Sequence, residues 1–163
     1  MKRAIACFLL LTILLTGCHF RQTNITEPVN FYFPADETGH IGIPKSFVPE
    51  VRESVAYIGN TKGLIQLYLS GPESAGFLNP FPRNSILEHM VIDGTSATAY
   101  LNSDFFVLKD INLTVACACL TLTISELTGV QSVTITSKTG PGSSKTSITM
   151  RPDQLITEDP ILN

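Results

Sequence analysis

The sequence predicts one α/β domain, a mixed sheet with two helices, and three stretches carry that prediction. "SILEHMVI" (85–92), Asp93-Gly94 and "TSATAYLNSDF" (95–105) read as a β-hairpin, because Asp-Gly meets the positive φ angles of a type I′ turn. "NLTVACACLTLTISEL", Asn112 to Leu127, has the length of a helix and stops at Gly129. "VQSVTITS", Val130 to Ser137, alternates as a half-buried strand does.

The remaining elements follow in chain order. Met1-Lys2-Arg3 precedes an apolar run from Ala4 to Leu15, the pattern of a secretory signal peptide. The run is shorter than the roughly 20 residues a membrane span needs. Leu15-Thr16-Gly17-Cys18 resembles the lipobox of bacterial lipoproteins, which implies cleavage between Gly17 and Cys18 and a thioether-linked lipid on Cys18. Residues 1–17 are then leader, and the polar stretch 18–28 is a tether. Val29 to Phe33, stopped by Pro34, is a first strand. "HIGIPKSFV" (40–48) is a second extended stretch that Pro44 confines to an edge or a bulge. Asn60 or Thr61 caps a short helix with Leu64, Leu67 and Tyr68 on one side and Gly71-Pro72 as its stop. A loop rich in Gly and Pro leads to the hairpin, and Asp110 or Asn112 opens the long helix. After the last strand, 139–163 reads as a flexible connector and tail without clear period.

Charge and cysteine usage exclude several classes of function. The net charge is −3, and loss of Lys2 and Arg3 with the leader makes it about −5. With no Lys/Arg cluster, a nucleic-acid partner is not expected. On a helix, Cys117 and Cys119 lie about 200° apart, so they neither bridge nor share one metal. Cys117 falls in line with Leu113, Ala116, Leu120, Ile124 and Leu127 as a small buried hydrophobe. His19, His40 and His89 show no spacing for a zinc site. "TGPGSSKT" (139–146) lacks the Gly before Lys and the following helix of a phosphate loop. No enzyme signature, cofactor site or metal site is read from the chain.

The long helix raises a further expectation. Its second side shows Val115, Cys119, Leu122 and Glu126, and between the sides run Thr114, Ala118, Thr121 and Ser125. A solvated helix would carry Lys and Glu there, so Val115, Cys119 and Leu122 are expected to form an interface. Its cover is another copy, an envelope partner, or the chain's own tail with Leu155, Ile156, Ile161 and Leu162.

Several pieces occur together in one order: "FYFP" (31–34), "SGP" (70–72), "NPFPRNS" (79–85), "VIDGTSATAYLNSDF" (91–105) and "TISELTGVQSVTI" (123–135). In this order, beneath a lipobox, they resemble the GerMN domain of sporulation and spore-germination lipoproteins over roughly residues 29–138. Asn102 stands where that pattern has Ser, and Ile124 where it has Leu. The resemblance implies a small two-layer α/β (α+β) sandwich similar to ring-building modules. It also implies a non-enzymatic assembly role on the extracytoplasmic face of the cell membrane. The bilayer, through the Cys18 lipid, and a further copy or an envelope protein are the expected partners. The alternative is a lipid-anchored cell-wall binding protein or hydrolase, which would use paired carboxylates among Glu88, Asp93, Asp104 and Asp110.

The lipobox predicts that Cys18→Ser abolishes incorporation of a clickable fatty acid and leaves the chain unprocessed. Equal labelling of wild type and variant would dismiss the anchor.

Overall fold

The computed structural model describes residues 28–36, 46–53, 59–137 and 146–155. Gly17 and Cys18, the leader, Pro44, residues 139–145 of the stretch compared with a phosphate loop, and Ile156, Ile161 and Leu162 lie outside them. The strands are β1 (Pro28–Pro34), β2 (Phe47–Glu53), β3 (Leu87–Asp93), β4 (Ser96–Leu101), β5 (Ser132–Ser137) and β6 (Ser147–Met150). The helices are α1 (Thr61–Leu69) and α2 (Asp110–Thr128), with short 3-10 turns at Phe105–Val107 and Pro152–Gln154.

β3, β4, β5 and β6 form a mixed sheet in that order, in which only the β4–β5 pair is parallel. A parallel pair needs a long crossover, and α2 supplies it. Ala97, Ala99, Leu101, Val133 and Ile135 point from this sheet into the core with Leu120 and Ile124 of α2. β1 and β2 pair separately as an antiparallel ribbon beside α2. The predicted α/β sandwich with two helices is thus the observed architecture.

Local signals place most elements. The Asn60 side chain accepts the Gly63 N–H at 2.9 Å and caps α1. Gly129 closes α2 in the left-handed conformation, with its N–H on Ser125 O. The hairpin forms as predicted, but its turn differs. Asp93 pairs with Ser96, so the two-residue connection is Gly94-Thr95, and of these Gly94 alone has positive φ, at 56°. Type I′ needs both central residues there, so the turn is not type I′; glycine leads it, as in II′ turns.

Two strands depart from expectation. The second strand begins at Phe47, and the proline inside it is Pro49, opposite Tyr32. The Tyr32 N–H and C=O point away from β2, so Pro49 removes no ladder bond. Those outward groups are taken up by α2 and α1. The Thr123 hydroxyl accepts the Tyr32 N–H at 3.0 Å, and the Tyr68 hydroxyl donates to the Tyr32 carbonyl. The second departure is β6, which lies in the stretch read as tail. Its Ile148 and Met150 pack against the core while Ser147 and Thr149 face solvent, so four residues carry too short a pattern for sequence to reveal.

One ion pair holds the ribbon to the next loop. Arg52 donates to Glu50 at 2.6 Å and to the Gly71 carbonyl at 2.7 Å, and stands 5.1 Å from the Phe31 ring centroid. The Glu50 carboxylate accepts the Glu73 and Ser74 N–H groups at 2.9 and 2.6 Å. Burial pushes the Glu50 carboxyl up, but the Ser74 N–H and Arg52 outweigh it and hold it below its usual value. A carboxyl lowered on folding stabilises the fold above its unfolded pKa, and that stability drains as pH falls through the folded value. Urea unfolding should therefore show wild type losing more stability than Glu50→Gln below about pH 4. Arg52→Met, which strands a buried carboxylate, should cost about 3–5 kcal/mol at pH 7. Parallel pH profiles for wild type and Glu50→Gln would remove the pair from this role.

Candidate functional site

The long helix leaves less surface than its sequence suggests. Every residue from Ala116 to Ile124 is buried, which explains why this stretch carries no charge. The same length and apolar content would suit a membrane span, yet here they serve a core helix. Cys119 is wholly buried and Leu122 is 6 % exposed, so neither is open to a partner. The expected interface of Val115, Cys119 and Leu122 is corrected: β1, β6 and the turn at Pro152–Gln154 pack on α2. Leu122 borders a polar cleft of about 460 Å³ shared with Tyr32, Ser125, Glu126, Pro152 and Asp153. The chain's own later residues are thus part of the cover. Two hydroxyls at the end of the helix are met locally, Thr128 by Ile124 O at 2.6 Å and Ser125 by Val130 O.

The thiols sit in the same interior. Cys117 is fully buried in the core, as expected, and burial pushes its thiol up to about 12. Burial raises Cys119 still further, and Tyr68 stands beside it. Neither thiol supplies a nucleophile near neutral pH.

Val115, half-buried, does line an open feature. It borders an apolar groove of about 510 Å³ with Pro34, Leu78, Phe81, Leu108 and Ile111, and two asparagines, Asn79 and Asn112, supply the polar atoms. Leu78 is 46 % and Ile111 43 % exposed, so two large side chains stand in water at its rim. One wall of the groove is the start of α2, and the other is a loop clamped to the end of β1. Leu78 donates to Pro34 O at 2.9 Å, and Asp36 donates to Gly76 O at 2.8 Å. Asn79 turns the loop by accepting the Phe81 N–H at 2.9 Å, which drives Phe81 into a cluster with Phe33, Tyr68 and Phe105. The Asn79 amide lies so close over Gly71 that a Cβ there would meet it at 2.4 Å. The sequence reading passed over this groove; the available signal was a pair of large apolar residues, Leu78 and Phe81, inside a proline-rich loop.

The candidate carboxylates are spread over β3, the turn that follows β4 and the start of α2. Asp93 is at the hairpin end, Asp104 precedes a 3-10 turn and Asp110 begins α2 with a φ of 50°. The His89 ring lies tilted beside that of Tyr100, its cross-strand neighbour, with centroids 5.7 Å apart. Among the described residues, no group of three His, Cys, Asp or Glu side chains could hold a metal ion. The groove offers apolar contact.

Comparison with known proteins places the chain. A family model described as "Germane: Sporulation and spore germination" matches residues 30–138. A crystal structure of a Clostridium perfringens protein, described provisionally as a lipoprotein, is similar with 20% identity and a TM-score of 0.41. That similarity covers 68% of this chain and 73% of that one. No curated protein matches the sequence significantly.

With both thiols buried, alkylation of the native protein at pH 8, mapped by peptide, should leave Cys117 and Cys119 unmodified until urea unfolds the domain. Cys117→Ser should destabilise by about 1–3 kcal/mol by placing a hydroxyl in an apolar site. Rapid native modification of either thiol would contradict the core placement.

Proposed function

Because the chain belongs to the Germane family of sporulation and spore germination, we propose that it is a membrane-anchored extracytoplasmic lipoprotein. Its single GerMN-type domain acts as a non-enzymatic assembly module. The observation that carries this reading is the family match over residues 30–138, two thirds of the chain. The leader and lipobox support the anchor, with Cys18 as the lipidated residue and residues 18–28 as the tether. The apolar groove and the position of β3 at the edge of its sheet support contact with protein over conversion of a substrate. In this role the domain is held at the outer surface of the membrane, where it packs against a further copy or an envelope protein during sporulation or germination.

A deletion strain provides the test. Loss of the gene should lower the yield of heat-resistant spores or slow their germination, with vegetative growth unchanged. The full chain should restore the phenotype, and Cys18→Ser should fail to. Normal spores that germinate at the wild-type rate would overturn the proposal.

A further inference from the structure

The fold protects the edges of its strands unevenly. On β1 the outward groups of Tyr32 are taken by the hydroxyls of Thr123 and Tyr68. The start of β3 is covered by α1: Lys62 Nζ donates to Glu88 O at 2.9 Å, and Gln66 bonds both Ser85 O and the Leu87 N–H. From His89 to Asp93, β3 is an edge strand with no neighbour on its outer side among the described residues. It carries no Lys, Arg or Pro there, and Val91 and Ile92 are 43 % and 50 % exposed. Natural edges are usually blunted by such residues, so this one is open to backbone pairing.

The register of the hairpin states which groups are free. Asp93 and Ser96 close the two-residue turn, so residues 93, 91 and 89 exchange bonds with β4. The N–H and C=O of Met90 and Ile92 therefore point outward. A second β3 running antiparallel about a two-fold axis at Val91 would set Met90 against Ile92 of the other copy, and Ile92 against its Met90. Those are the outward-pointing residues, so their N–H and C=O groups meet. In the same register His89 of each copy lies opposite Asp93 of the other, on one face. The two Val91 side chains meet between them. The segment His89-Met90-Val91-Ile92-Asp93 is thus self-complementary in backbone, in apolar contact and in imidazole–carboxylate pairing.

We propose that two copies of this chain pair through β3, antiparallel about Val91, to join their four-stranded sheets into one continuous sheet. This deepens the assembly role proposed above by naming the partner as a second copy.

Cysteine cross-linking in cells expressing the full chain tests the register. Residues directly opposite in a non-hydrogen-bonded antiparallel pair have Cα atoms about 4.5 Å apart, within disulfide reach. Val91→Cys should give a disulfide dimer on mild oxidation. Thr149→Cys, exposed on β6 at the other edge, and wild type should not. His89→Asp sets carboxylates against each other and should weaken the dimer by about tenfold. Adding Asp93→His to it restores the complement and should restore the dimer. Ile92→Pro removes an outward N–H that β4 does not use, and should abolish pairing with the melting temperature of the domain little changed. Dimer yield at Val91→Cys no higher than at Thr149→Cys would overturn the proposal. So would a dimer indifferent to the charge swap and to Ile92→Pro. Either result leaves the spore phenotype of the deletion strain, and with it the assembly role, standing by itself.

Discussion

The fold depends on α2 having no wet side through its middle. A helix buried from Ala116 to Ile124 needs cover on every side, and the chain assembles that cover from distant parts. The inner face of the four-stranded sheet supplies one side, β1 another, and the turn after β6 a third. The contact with β1 is also polar. Thr123 and Tyr68 close the free side of Tyr32, so the helices end the β1–β2 ribbon as a third strand would. Burial pushes the Tyr68 phenol up, which keeps it an O–H donor to the Tyr32 carbonyl.

The elements legible in the sequence are those whose signals are local. Asn60 names a cap, Gly129 a stop, and the alternation of Val133 and Ile135 a strand, each within a few residues. The misreadings come where the decisive partner is far along the chain. Periodicity divided α2 into a core side and an outer side, but Cys119 and Leu122 are buried, with β1 and the turn at Pro152–Gln154 packed on the helix. Pro49 looks hostile to a strand until its opposite, Tyr32, is known to face away from it. β6 is recognisable only by its pairing with β5.

The candidate surfaces were legible to a lesser degree. Val115 was singled out on the helix, and it does border the groove, but for its place at the first turns beside the loop at Leu78. The Asp-Gly pair located the hairpin, whereas the open state of β3 depends on sheet order, which no local pattern encodes. Family membership came from several short motifs in a fixed order. One of them, the proline-rich loop, carries the Asn79 turn and its close approach to Gly71.

The arrangement around β1 also dictates a timetable. Asn30 bonds Glu126, and Tyr32 bonds Thr123, across separations of 96 and 91 residues. A two-stranded ribbon is marginal by itself in water. As the chain is made from its N-terminus, β1 and β2 emerge first, and α1 with the loop after it supplies their earliest contacts. The side of β1 that faces α2 stays uncovered until the last turns of that helix have been synthesised. The closing step, in which the middle of the chain gathers in its beginning, is therefore late, and any truncation before Thr123 leaves the Tyr32 N–H without the hydroxyl that accepts it.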